Sequence, residues 1–297
     1  MSTLAGQAGW NESRYRIAYL FHPSFVPYLP ELGVCRIVYH ADDSFSKMPV
    51  WTRDLEADEH SLVSRADMLI ATSPGVRRNL PGSGPARAQI LQNGANIELF
   101  ATGSSSEVPE DLMSIPPPRI GYFGTVSPKV DLALVDTLAG LRTDWQWVFI
   151  GKCVERSIMA DPPSRDAWLR MRNRSNVHFL GLRPYHDLPR YVAHMDVNTL
   201  CYRTDPGGWW TDLSPLKLHE YLTVGQPVVA ASLEVLNPLR HVVAIAEGSR
   251  QWIDALSQAI YETGTGTPEQ RREVATAHDW KGIVAQLDSR LISMMAS

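Results

Sequence analysis

Short apolar runs of β-branched and aromatic residues alternate along this chain with segments of helical spacing. Parallel sheets with crossover helices are the architecture that such alternation selects. In the first third the runs are Arg16–Phe21, Arg36–His40, Met68–Thr72 and Gln89–Leu91. A helix is expected over Thr52–Arg65, where Leu55, Leu62 and Val63 share a face. Asp54, Glu56, Asp58 and Glu59 lie toward its start, where the helix dipole favours acids. Residues 102–118, TGSSSEVPEDLMSIPPP, have no apolar period and read as a linker or as a long surface loop.

A fresh strand, Arg119–Phe123, opens the second region. Trp147–Ile150, Val177–Leu180, Val197–Cys201, Val228–Ala230 and His241–Ala244 follow. Helical patterns fall at Val130–Leu141, Asp166–Arg172, Asp187–His194, Pro215–Val224 and Trp252–Tyr261. Six strands with intervening helices make a doubly wound domain. A terminal helix over Trp280–Met295 puts Ile283, Leu287, Leu291 and Met294 on one face, so it must pack on something. The expected organisation is a partial Rossmann-like domain over 1–103, a linker over 104–118, a Rossmann-like domain over 119–278, and a C-terminal helix over 279–297 packing back toward the first domain.

The 28 basic and 32 acidic residues give a net charge of −4, and neither region is a basic patch. Nucleic acid is therefore not an expected partner. No apolar run approaches the ~18 residues of a membrane-spanning helix. Met1–Trp10 lacks the basic start and apolar core of a secretory leader. Cys35, Cys153 and Cys201 are isolated and read as reduced thiols of a cytoplasmic protein.

The richest stretch is Thr211–Val229, TDLSPLKLHEYLTVGQPVV. Ser214 and Pro215 read as cap and first residue of a helix that Gly225 ends. Its N-terminus follows a strand, where open α/β sheets bind ligands. Amides at Leu216 and Lys217, and the Lys217 ammonium, would face an anion. Glu220 lies on the same face one turn on, and a carboxylate there can accept from paired sugar hydroxyls. Asp212 precedes it by eight residues. The same spacing also suits a plain Lys217–Glu220 surface pair.

Gly121–Lys129, GYFGTVSPK, is a second strand-to-helix turn where glycine admits a phosphate and Lys129 meets its charge, or a plain βα turn. His40, Asp42 and Asp43 cluster after a strand, placed for a general base or for capping the next turn. No second His or carboxylate pair stands at ligand spacing, so no metal is expected. Trp145 and Trp147 read as packing. Trp209 and Trp210, after Pro206-Gly207-Gly208, read as a stacking wall, a mobile lid or loop anchors.

SPLKLHEYLTVGQPVV resembles the donor-site helix of GT-B fold glycosyltransferases of the retaining family 4 type. RIGYFGTVSPKVDLALVDTLA resembles the opening strand, turn and helix of their donor domain, and NVHFLGLRPYHDLPRYVAHMDV a later strand and helix. RADMLIATS and ILQNGANIELF resemble the end of their acceptor domain. Together these cover most of residues 36–245 in the family's order.

The resemblance implies a GT-B architecture, two Rossmann-like domains facing a cleft with the N-terminal one incomplete. It also implies transfer of a sugar from a nucleotide-sugar to a polysaccharide, lipid-linked or other glycan acceptor. Glu220 would bind the donor ribose, and Asp212 takes the first acid position of the family's E-x7-E motif, where the family has Glu. Ser214, Leu216 and Lys217 would line the pyrophosphate, with Gly124, Thr125 and Lys129 opposite. Arg183 and Tyr185 would frame the nucleobase. His40, Asp42 and Asp43 would lie on the reacting side. A retaining enzyme needs no strong side-chain base; an inverting one would use Asp43 or Asp42.

No cofactor is implied beyond a UDP- or GDP-linked donor. The expected place is the cytoplasm or the inner membrane face, where the chain would be peripheral, with a partner glycosyltransferase subunit as a further expectation. The front end is shorter than the family pattern, as in a fragment, a misassigned start or a natural short form. The alternatives are a non-catalytic donor-binding or partner-binding remnant, and a nucleotide-sugar epimerase of the same fold.

Overall fold

The computed structural model describes residues 16–296. The Met1–Trp10 stretch read above for a leader lies outside them. The chain divides into two compact units, one of residues 1–92, 212–214 and 284–297, the other of residues 93–211 and 215–283.

The first unit holds four parallel strands, β1 (Ile17–Leu20), β2 (Arg36–Ala41), β3 (Met68–Ala71) and β4 (Gln89–Ile90), in sequential order. Helix α1 (Arg53–Arg65) is capped by the Thr52 side chain and buries Leu62 and Val63. Each such burial contributes about 1.5–3 kcal/mol. Glu59, read as a dipole acid, is instead buried and accepts from Tyr39 Oη at 2.7 Å. Its place on the α1 face turned to β2 decides this. The short helix α2 (Pro74–Asn79) follows β3 and is capped by Ser73.

The second unit holds β5 (Arg119–Phe123), β6 (Gln146–Ile150), β7 (Val177–Gly181), β8 (Val197–Leu200), β9 (Val228–Ala231) and β10 (Ala244–Ala246). All pairs are parallel, in the order β10-β9-β8-β5-β6-β7. The chain leaves β5 on one side and returns at β8 on the other. That reversal opens a crevice beyond the carboxyl ends of β5 and β8. Helices α3 (Leu132–Leu141), α4 (Pro162–Met171), α5 (Leu188–Ala193), α6 (Leu216–Val224), α7 (Gly248–Tyr261) and α8 (Pro268–Thr276) belong to this unit. Trp145 and Trp147 are fully buried, as packing requires.

Several boundaries differ from the sequence reading. The last strand begins at Ala244 rather than His241, because Val242 and Val243 donate to Leu239 O and close a turn first. The 104–118 segment is not featureless. It carries a helical turn at Glu110–Met113 and buries Leu112 and Ile115, and contacts divide the chain at 92/93 instead. Helix α9 (Trp280–Ala296) buries Ile283 and Met294, and residues 284–297 count with the first unit. No helix among the described residues is long and apolar enough to cross a membrane.

Candidate functional site

In the second unit, β5 ends in Gly124, whose φ of +114° suits glycine. A Cβ at Gly124 would lie 2.7 Å from Lys217 Nζ, so the missing side chain is the room that the ammonium occupies. Lys217 Nζ sits 4.1 Å from the Tyr122 ring centroid and 5.5 Å from that of Tyr202. Lys129 Nζ lies 5.7 Å from the Tyr202 centroid and 5.8 Å from that of Trp209. Two cations thus share one aromatic ring at the switch point. Among the described residues Lys217 forms no ion pair with a carboxylate. Burial, then repulsion from Lys129, lowers its pKa to about 7. Two ammonium groups beside the first turn of a helix are the kind of arrangement that favours an anion.

Helix α6 starts one residue later than expected. Pro215 occupies the cap position and no side chain caps the end, so the Ser214 cap is corrected, and Ser214 counts with the first unit. The helix ends at Gly225, with φ of +90°. Tyr221 Oη accepts from Phe123 N at 3.0 Å and fixes the helix to the end of β5. From α8, Arg272 Nη2 donates to Val224 O at 3.1 Å and Arg271 Nη1 to Gly225 O at 2.9 Å. Guanidinium groups suit the carbonyl end of a helix. The His219 ring stacks on His278 at 3.8 Å.

On the same helix, Glu220 accepts from Tyr185 Oη at 2.9 Å. Burial raises its carboxyl pKa, opposed by that hydrogen bond and by the Lys217 charge. Arg183 is engaged by Asp111 at 2.6 Å and by Tyr191 at 3.0 Å. Leu216 and Thr125 are exposed. Trp210 lies under the Arg203 guanidinium at 4.7 Å and anchors its loop, while Trp209 turns to Lys129.

The remaining sequence candidates fall in the first unit. His40 Nδ1 lies 2.7 Å from Tyr19 Oη, and burial lowers its pKa to about 4, so the ring is neutral at pH 7. Desolvation of its carboxyl by the surrounding residues raises the pKa of Asp42. The Asp42 carbonyl accepts from Thr72 Oγ1 at 2.9 Å, and the Asp43 carbonyl accepts from Phe45 N at 3.0 Å. Asp212 is buried, and its carboxylate accepts from Lys47 and Asn79. Structure therefore brings together Gly124, Lys129, Lys217, Tyr185 and Glu220 in one unit, and leaves both acids of the Asp212–Glu220 pair in different units.

Sequence reading missed Tyr122, Tyr202 and Tyr221, which hold the cations and the helix. An aromatic residue at or next to the end of each central strand was the available signal.

The switch point between β5 and β8, with Lys129, Lys217 and the α6 N-terminus beside it, belongs to a Rossmann-like domain. The pattern of the family described as Glycosyl transferases group 1 matches residues 117–262. A relative from Bacillus subtilis, TuaH, whose name assigns it to teichuronic acid biosynthesis as a glycosyltransferase, is 23% identical over 242 residues, 78% of this chain. The chain spans 58% of that relative's length. Among solved structures, HepE of Anabaena in complex with UDP and glucose aligns with a TM-score of 0.74 at 18% identity, covering 98% of this chain and 81% of its own. Sucrose-phosphate synthase of Thermosynechococcus elongatus aligns with a TM-score of 0.75 at 15% identity, covering 99% and 77%. Residues 117–262 are thus similar to the glycosyl transferases group 1 family, and the two parallel-sheet units have the GT-B fold of these solved structures.

Proposed function

We propose that the chain moves a sugar from a nucleotide-sugar to a glycan or lipid-linked acceptor in polysaccharide biosynthesis. The observation that carries this is the cradle of Lys217, Lys129 and the α6 N-terminus around Gly124. A diphosphate would bring negative charge to the two ammonium groups and the first-turn amides. The UDP and glucose bound in HepE favour a UDP-linked donor, and the name of TuaH favours a glycan product. Glu220 takes the ribose hydroxyls, with Tyr185 orienting it, and Arg183 borders the base.

As the bond between the sugar's anomeric carbon and the diphosphate breaks, its electron pair moves to the phosphate oxygen. Lys129, Lys217 and the first-turn amides stabilise that charge electrostatically. In a retaining reaction the acceptor hydroxyl attacks from the leaving-group face and its proton passes to the phosphate. Asp42 or Asp43 would take that proton in an inverting reaction. The proposed setting is the cytoplasm or the inner membrane face.

Titration calorimetry with UDP-, GDP- and dTDP-sugars tests the reading. Binding of one donor at micromolar affinity is expected, and silence with all of them sinks it. Glu220→Ala should weaken UDP binding by about tenfold or more, the scale of a lost hydrogen-bonded charge. Binding with no transfer by the full chain would favour a donor-binding module instead.

A further inference from the structure

The Asp212 carboxylate occupies the position where the family resemblance expects a donor ligand, yet its hydrogen bonds point elsewhere. Oδ2 accepts from Lys47 Nζ at 2.6 Å and from Asn79 Nδ2 at 2.8 Å. The same Asn79 amide donates to Ser44 Oγ at 2.9 Å. The Asp212 carbonyl accepts from the Ser73 hydroxyl, which also caps α2. On the Oδ1 side stands Gly75, where an added Cβ would fall 2.4 Å from Oδ1. Only 7% of Asp212 is exposed.

Ser44 and Lys47 bracket the turn that directly follows Asp42 and Asp43. That turn closes through Phe45 N to Asp43 O at 3.0 Å and Lys47 N to Ser44 O at 3.1 Å. One carboxylate therefore grips both sides of it, Lys47 directly and Ser44 through Asn79. A buried carboxylate depends on such partners, because losing one leaves its charge uncompensated. To meet a donor, Asp212 would have to surrender the partners that make its burial tolerable.

We infer that Asp212 is a positioning residue for the Asp42–Asp43 loop and does not contact the donor. Glu220 is then the donor's carboxylate alone. The inference rests on the donor site proposed above only for that contrast. It explains the departure from glutamate at this position as a change of employment, from a sugar contact to the hub of the first unit.

Two variants of the full chain test it. Asp212→Asn keeps the shape and removes the charge. Gly75→Ala leaves the carboxylate intact and crowds it out of place. Hydrogen exchange of the 43–48 amides should quicken by about tenfold or more in both, while amides of β5 and α6 keep their protection. UDP affinity should stay within about twofold of the unaltered chain, since no donor contact is lost. With UDP-glucose, kcat should fall while KM holds.

Glu220→Ala should do the reverse, weakening UDP and leaving the 43–48 amides protected. Weakened UDP binding in either first-unit variant, or unchanged exchange over 43–48, overturns the inference. Failure of the unaltered chain to bind UDP falls on the donor reading instead, and the exchange measurement still decides the positioning role.

Discussion

Charged groups are handled in opposite ways in the two units. In the first, Asp212 is buried and paired with Lys47, and Glu59 is buried and accepts from Tyr39. In the second, Lys217 is brought beside Lys129 with aromatic faces rather than carboxylates against it. Paired groups satisfy themselves and fix a loop. An unpaired cation in a crevice is unfavourable until an anion arrives. On the proposed reading, the contrast separates residues that build the protein from residues that bind the donor.

Replacing Lys217 with Met should break this contrast most sharply. UDP affinity is expected to fall by about a hundredfold, the loss of a charge-assisted phosphate contact of roughly 2–3 kcal/mol. The melting temperature of the ligand-free protein should hold or rise, because a costly buried charge has gone. A fall in melting temperature would mean that Lys217 is structural after all.

The pH dependence comes next. Lys217 in the free protein is held to about 7, against an ordinary value of 10.5. Above pH 7 the folded chain lacks a proton that the unfolded chain binds, so ligand-free stability should rise with pH toward 10.5. A diphosphate demands the charged form. UDP binding should therefore take up a proton and weaken above pH 7, approaching tenfold per unit, where a terminal phosphate is already ionised. Calorimetry in buffers of different ionisation enthalpy reads the uptake, and the slope should vanish in Lys217→Met.

The smallest effect is expected at Tyr185→Phe, which removes the hydroxyl that donates to Glu220. The bond is solvent-exposed, so a loss of about two- to fivefold in UDP affinity follows from ~0.5–1 kcal/mol. An unchanged dissociation constant would place Glu220 away from the ribose.

Much of this was legible from residue order. Strand β5 lies at the residues read from the sequence, and α1 and α6 lie within about a residue of theirs. Apolar periodicity reports burial, and burial is what sheets and amphipathic helices require. The strand at 244–246 was misplaced because a turn and a strand of three residues carry little periodic signal. The short helices at Pro74–Asn79 and Glu110–Met113 escaped for the same reason. At the site, Gly124, Lys217 and Glu220 stand out by residue type and spacing. The Tyr122 and Tyr202 faces against the lysines do not, because β5 and the segment that follows β8 meet only through sheet pairing.

By itself the sequence determined the alternating α/β architecture, the helix bearing Lys217 and Glu220, and the glycine that ends β5. These are local matters of periodicity, turn chemistry and spacing. Only the tertiary structure decided what each charge meets. It set Lys217 against Tyr122, turned Glu59 inward, and gave Asp212 to Lys47 and Asn79, which stand 165 and 133 residues away in the chain. Such contacts depend on strand order and burial. An acid eight residues from another looks the same in sequence whether it faces a sugar or a lysine of its own chain.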